Sequence, residues 1–295
     1  MELWVFIAIG AAFLQNVRSS LQKYLKGRLS TTGATFSRFI FAAPLAVGVL
    51  AALVIAGGYT LPIPNARFAG FTVLGGISQI LATALLVHLF GLRNFAVGTT
   101  FSKTETVQAA LFGVVVLSDA ITPMAGVALL VSLIGVAMIS STNGLRGGIF
   151  NRGALIGIAS GTAFAVSGIS YRGASLSLDS GDFLIRATFT LACVLVFQTV
   201  IMLVWLAWKD GAQIGRVLKS WRVSMWVGIA GGIASLGWFS AMTLQNAAYV
   251  KAVGQVELLF SFAVSVLVFR ERSSGREVGG IILVSLGILL LLLWK

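Results

Sequence analysis

The sequence predicts an all-α membrane protein, with ten transmembrane helices arranged as two inverted five-helix repeats around a central cavity. Three observations lead there. Ten apolar stretches of about 20 residues follow one another, and a helix needs about that length to cross a hydrocarbon core ~30 Å thick. Hydrophobic residues make up 58% of the 295-residue chain and charged residues 10%, with a mean hydropathy of +0.98, outside soluble composition. Residues 94–135 also align without gaps on residues 246–287.

Taken in order, the first span is Leu3–Leu25, too long for a signal-peptide core and followed by no small-residue cleavage pattern, so it is read as retained. Gly33–Ala56 and Arg67–Phe90 follow, separated by the Gly- and Pro-bearing connector Gly57–Ala66. Ala96–Leu117 and Thr122–Ser141 complete the first half, residues 1–143. After the connector Thr142–Arg152, the second half, residues 152–295, holds Gly153–Ala174, Asp182–Trp208, Trp221–Asn246, Tyr249–Phe269 and Gly275–Trp294. The connector Lys209–Ser220 is polar and basic, and Asn246-Ala247-Ala248 is a tight turn.

The internal alignment pairs Asn94 with Asn246, Glu105 with Glu257, Val114 with Val266, Asp119 with Glu271 and Gly135 with Gly287. At a slightly different offset, Gly33 and Arg38 meet Gly181 and Arg186. The charged matches carry the weight, because apolar helices align easily. Five crossings per repeat is an odd number, so the second copy enters from the opposite side of the membrane, a common plan for secondary transporters.

The net charge of +12 sits mostly in short loops, as topogenic charge does, and does not indicate nucleic-acid binding. The positive-inside rule puts those loops in the cytoplasm and both termini outside. Cys193 is the only cysteine and reads as a small buried hydrophobe. The sequence has no nucleophile elbow, paired-histidine zinc motif or phosphate loop, so neither an enzyme, a metal site nor a cofactor is expected.

Ionisable groups inside a bilayer cost roughly 2.5–3.5 kcal/mol each on insertion scales, so each needs a role. Glu105 lies in the run Thr99–Thr106, with Ser102 and Lys103 just before it, and so many polar groups around one helix cannot all face lipid. Glu105 and Glu257 read either as contacts to substrate or protons, or as structural carboxylates paired with Lys103, Arg18 or Arg38. Gln15, Arg18, Ser19 and Gln22 form one helical stripe flanked by Asn16, fitted to line a cavity or to join helices. Lys251 and Gln255 share a face and extend the same cavity, and Trp238, with Ser235 and Met242, makes an aromatic wall or simple packing. His88 reads as a hydrogen-bonded interfacial side chain with a place near the cavity. Arg38, Arg186 and Arg172 read as snorkelling or as braces to an acidic loop.

This pattern resembles the drug/metabolite transporter superfamily in its EamA-like branch over essentially the whole chain. The resemblance is carried by Val256-Glu257-Leu258, Phe269-Arg270-Glu271-Arg272, Gly279-Gly280 and Gly287, and more weakly by Glu105, Asp119, Gly135 and Arg38. The proline that the family often places after the glutamate is missing: Leu258 follows Glu257 and Thr106 follows Glu105. The resemblance implies a basket-like bundle, a bacterial inner-membrane location and cytoplasmic termini, against the charge count. It also implies export of small metabolites, with amino acids first, as in the YddG-type exporters. The expected partners are a small-molecule substrate, the lipid bilayer and coupling protons. A multidrug or organic-cation exporter and a non-transporting scaffold are the alternatives.

Overall fold

The computed structural model describes residues 2–92, 102–142, 152–267 and 274–293, and among them every regular element is a helix. The helices are α1 (Leu3–Lys26), α2 (Thr31–Ile55), α3 (Ala66–Leu92), α4 (Glu105–Leu117), α5 (Pro123–Thr142), α6 (Arg152–Leu176), α7 (Phe183–Lys209), α8 (Ala212–Lys219), α9 (Trp221–Leu244), α10 (Ala247–Gly254), α11 (Val256–Leu267) and α12 (Gly275–Leu293). Five of them, α1, α2, α3, α7 and α9, are long and apolar enough to cross a membrane, and stretches of α4, α5 and α12 are shorter apolar helices.

Local chemistry sets the ends. Ser30 caps α2 through its Oγ, which accepts from Gly33 N at 3.1 Å, so the helix starts ahead of the expected Gly33. Asp182 caps α7, accepting from Leu184 N and Ile185 N at 3.0 and 3.1 Å. The connector read as Lys209–Ser220 contains a helix, α8, because Gln213 and Val217 are buried one turn apart while its basic residues stay exposed.

Two expected spans differ most. The ninth is two helices, α10 and α11, with a turn at Gln255. In the fourth, Ser102 is helical, Lys103 and Thr104 form a turn, and α4 starts at Glu105; residues 93–101 lie outside the described residues. No proline causes either break. At the first, the backbone of α6 presses in at Gly161, where an added Cβ would stand 2.6 Å from Thr104 Oγ1 and 3.1 Å from Glu105 N. At the second, Gly254 leaves room for Trp238, whose Cη2 would lie 2.5 Å from such a Cβ. Tight i→i−3 bonds replace the helical ladder: Thr106 N donates to Lys103 O at 3.3 Å and Leu258 N to Gln255 O at 2.9 Å. These two bonds fall on positions that the internal alignment pairs.

The bundle is polar inside and apolar outside. Val115 and Leu293 are 80% and 70% exposed, whereas Arg18, Arg38 and Glu257 are 2%, 4% and 3% exposed. A soluble protein has the opposite arrangement, and lipid is the solvent that suits this one. Helix contacts come in matched sets: α1 packs on α9 as α6 packs on α3, α2 packs on α7, and α5 packs on α12. The last contact is reciprocal in detail. A Cβ on Gly135 would stand 2.6 Å from Gly280 O and 2.7 Å from Val284 N, and one on Gly287 would meet Ser132 Oγ and, at 2.8 Å, Ala128 O. Gly135 and Gly287 are alignment mates, as are Ala128 with Gly280 and Ser132 with Val284.

Candidate functional site

A cavity lies where α1, α2, α3, α6 and α9 meet the two breaks. Its lining brings together eight of the residues singled out in the sequence: Gln15, Arg18, Ser102, Lys103, Glu105, Trp238, Lys251 and Glu257. The cavity volume is about 30 Å³, space for about two waters, so this conformation is narrow.

The two breaks face each other across it and are cross-linked. Lys103 Nζ donates to Glu257 Oε2 at 2.5 Å, and Lys251 Nζ donates to Glu105 Oε2 at 3.4 Å. Each glutamate therefore pairs with a lysine from the other half of the chain. Gln255 Nε2 donates to Thr106 Oγ1 at 3.0 Å, joining the breaks directly. Both glutamates stand in the first turn of a helix, where the unpaired backbone N–H groups and the dipole favour negative charge. The structure thus assigns Glu105 a partner, Lys251, that sequence position alone did not single out.

The remaining contacts order the walls. Gln15 joins two sides, accepting from Trp238 Nε1 at 3.0 Å and donating to Glu257 Oε2 at 3.3 Å. Lys251 Nζ sits 4.9 Å from the Trp238 ring centre and 6.0 Å from that of Phe164, within cation–π reach. Ser235, Trp238 and Met242 do share a wall. The α1 stripe divides its work: Gln15, Arg18 and Ser19 line the cavity, while Gln22 donates to Ala34 O at 3.0 Å and joins α1 to α2.

Three of the singled-out residues are not in the lining. Gln255 is buried behind it, and Asn16 and His88 are half-buried elsewhere on α1 and α3.

Conversely, the lining holds Arg38, Gln79, Ser167 and Tyr171, which the sequence reading did not put there. Arg38 does not snorkel. Its Nη atoms donate to Thr83 Oγ1 at 2.9 Å and Ser235 Oγ at 3.3 Å. With the Gln79 amide turned so that its oxygen faces the guanidinium, that oxygen accepts from both Nη atoms at 2.8 Å, and its nitrogen donates to Ser167 Oγ at 2.7 Å. Tyr171 stacks on Phe239 at 4.3 Å and donates to Gly75 O at 2.9 Å. The signal that could have found Arg38 was its depth, two turns inside a span with no acidic neighbour.

Arg172 does act as a brace. It holds Asp119 through two bonds of 3.2 and 3.1 Å, and its Nη1 donates to Met242 O and Gln245 O at 2.6 and 2.8 Å. The matched acidic position, Glu271, lies outside the described residues.

An apolar, lipid-facing bundle around a charged cavity where broken helices meet has the build of a membrane transporter. The family comparison agrees. Residues 151–293, just under half of the chain, match the model of the EamA-like transporter family, which identifies that segment with this family of the drug/metabolite transporter superfamily. The protein is thus a multi-pass integral membrane protein of a transporter family, which points to a small-molecule substrate in a lipid environment and away from catalysis. One solved structure, described only as "Crystal structure of protein", matches 98% of this chain and 96% of its own length, with a TM-score of 0.70 and 15% identity. At that identity the likeness concerns the fold alone. No curated protein matches the chain.

Proposed function

We propose that the protein is a secondary transporter that exports small carboxylate-bearing metabolites, amino acids foremost, across a bacterial inner membrane by alternating access. Its ten spans form two inverted halves, residues 1–143 and 152–295, which rock about the central cavity. One observation carries this reading: the two helix breaks, at alignment-matched positions, face each other and exchange their lysine–glutamate pairs. Inverted-repeat transporters build their sites from such broken helices at the repeat interface. The reciprocal Gly135 and Gly287 contacts support the same two-fold relation. The substrate cavity is lined by Gln15, Arg18, Ser102, Lys103, Glu105, Trp238, Lys251 and Glu257. Gln255 supports it from behind through Thr106, while Asn16 and His88 stand outside that lining. Protonation of either glutamate would release its lysine, which gives protons a route to couple to the rocking motion.

The organic-cation alternative needs carboxylates free to meet a cation, and both glutamates already hold lysines. Flux from proteoliposomes loaded with a labelled amino-acid mixture tests the proposal. Efflux above that of protein-free liposomes, reduced in Arg18→Ala and Glu257→Gln, is the expected result. No efflux from well-folded protein would remove the amino-acid reading, and a failure that extends to drugs and phosphorylated sugars would leave a scaffold.

A further inference from the structure

The cavity holds more positive than negative charge. Among the described residues four basic side chains line it, Arg18, Arg38, Lys103 and Lys251, and two acidic ones, Glu105 and Glu257. Both carboxylates are taken by the lysines. Among the described residues neither arginine has a carboxylate within ion-pair distance, although they are 2% and 4% exposed. Unpaired buried guanidinium groups are expensive, and the cost falls when an anion or water meets them.

The two arginines are neighbours with different surroundings. A Cβ added at Gly231 would stand 3.1 Å from Arg18 Cδ and 3.4 Å from Arg38 Cγ, so the two stems flank one glycine of α9. Arg38 is held on three sides by Thr83, Ser235 and Gln79. Among the described residues Arg18 has one side-chain hydrogen bond, from Nη2 to Ser19 Oγ at 3.2 Å, and its buried Nε, like that of Arg38, has no partner. One fork is thus fixed as a local positive field, and the other keeps donors unused at the cavity wall. A guanidinium fork matches two oxygens of a carboxylate or phosphate in its plane.

We infer that Arg18 and Arg38 form an oxyanion site, and that the transported solute carries net negative charge, presenting a carboxylate or phosphate group to the Arg18 fork. This narrows the proposed function, on which it rests, from amino acids in general to anionic solutes over neutral zwitterions. Lys103 is held by Glu257, so Arg38 is the second positive group of the site.

Calorimetric titration of the full chain in lipid nanodiscs tests this. Glutamate and succinate probe the carboxylate arm, inorganic phosphate and glycerol 3-phosphate the phosphate arm, and leucine the zwitterion. At least one anionic arm should bind on the order of tenfold more tightly than leucine, as an added charge-assisted bidentate contact provides. Arg18→Lys keeps the charge but loses the fork and should weaken that anion by about tenfold. Gly231→Ala crowds both stems without altering charge and should weaken it several-fold, with leucine, which binds more weakly from the start, losing less than the anion in both variants.

The arm that responds identifies the oxyanion. Leucine binding as tightly as every anion, no binding in either anionic arm, or wild-type anion affinity in folded Arg18→Lys and Gly231→Ala would each overturn the inference. Amino-acid flux without anion preference would overturn this inference and leave the transport reading intact. Absence of flux for any solute would remove the transport reading, with the titration still deciding the site.

Discussion

Replacing Lys103 with methionine separates the cross-half ion pair that the structure makes shortest. Its Nζ lies 2.5 Å from Glu257 Oε2, and the side chains are 6% and 4% exposed. At an effective dielectric of about 20, unit charges at that distance attract by ~6–7 kcal/mol before desolvation is subtracted, against ~5 kcal/mol at the 3.4 Å of Lys251–Glu105. Desolvation removes much of this, so the net worth of the pair is small, but removing one partner strands a buried charge at a cost of roughly 3–5 kcal/mol. Lys103→Met should fall at the low end, because Gln15 and the start of α11 still stabilise the carboxylate. Glu257→Gln strands an ammonium and should fall at the high end. The double variant has no stranded charge and should lie within ~1 kcal/mol of wild type, which makes the coupling energy ~5 kcal/mol or more. The same cycle on Lys251 and Glu105 should give a smaller coupling. Unfolding in mixed micelles, followed by tryptophan fluorescence, measures all of these. Single variants costing less than ~1 kcal/mol, or a double variant equal to the sum of the singles, would refute the reasoning.

Three further outcomes test the fold. Gly135→Ala should cost about 1–3 kcal/mol by overpacking against α12, whereas Gly126→Ala, whose Cβ would meet nothing within 4 Å, should be neutral or stabilising; thermal unfolding of both decides it. Ser118 ends α4 with φ at 55°, so Ser118→Gly should raise stability by roughly 0.5–1 kcal/mol, left-handed strain relieved less the added freedom of the unfolded chain. Arg172→Gln loses the paired bonds to Asp119 and leaves two carbonyls short of a donor, and should cost ~2–3 kcal/mol, visible as earlier proteolysis near Asp119.

The helical class was legible because lipid demands apolar runs of one length, and α1, α3 and α7 lie within a few residues of their expected limits. The breaks were not legible. Nothing at Lys103-Thr104 or Gln255 punctuates the chain as proline would; Gly161 and Trp238, distant in sequence, press in from other helices. The pairing of Glu105 with Lys251 was hidden for the same reason, since it depends on how the halves meet. Arg38 was misread because its partners Thr83, Ser235 and Gln79 come from other helices, which left its depth in the span as the local signal. Arg18, Lys103, Glu105, Lys251 and Glu257 were nevertheless picked out in the sequence, because a buried charge in a membrane span is rare enough to stand out.

The central claim is that the cavity opens in turn to both sides of the membrane. Gly168 lines it, and a Cβ there would make ordinary contacts of 3.6 Å with Lys251 and Met242, so the site accepts a small side chain. The measurement is labelling of Gly168→Cys, on a Cys193→Ser background, with a membrane-impermeant thiol reagent applied to proteoliposomes from outside only or inside only. The account predicts labelling from both sides, with a bound anion changing the two rates in opposite directions. Labelling from one side alone, unmoved by any solute that binds, would contradict it.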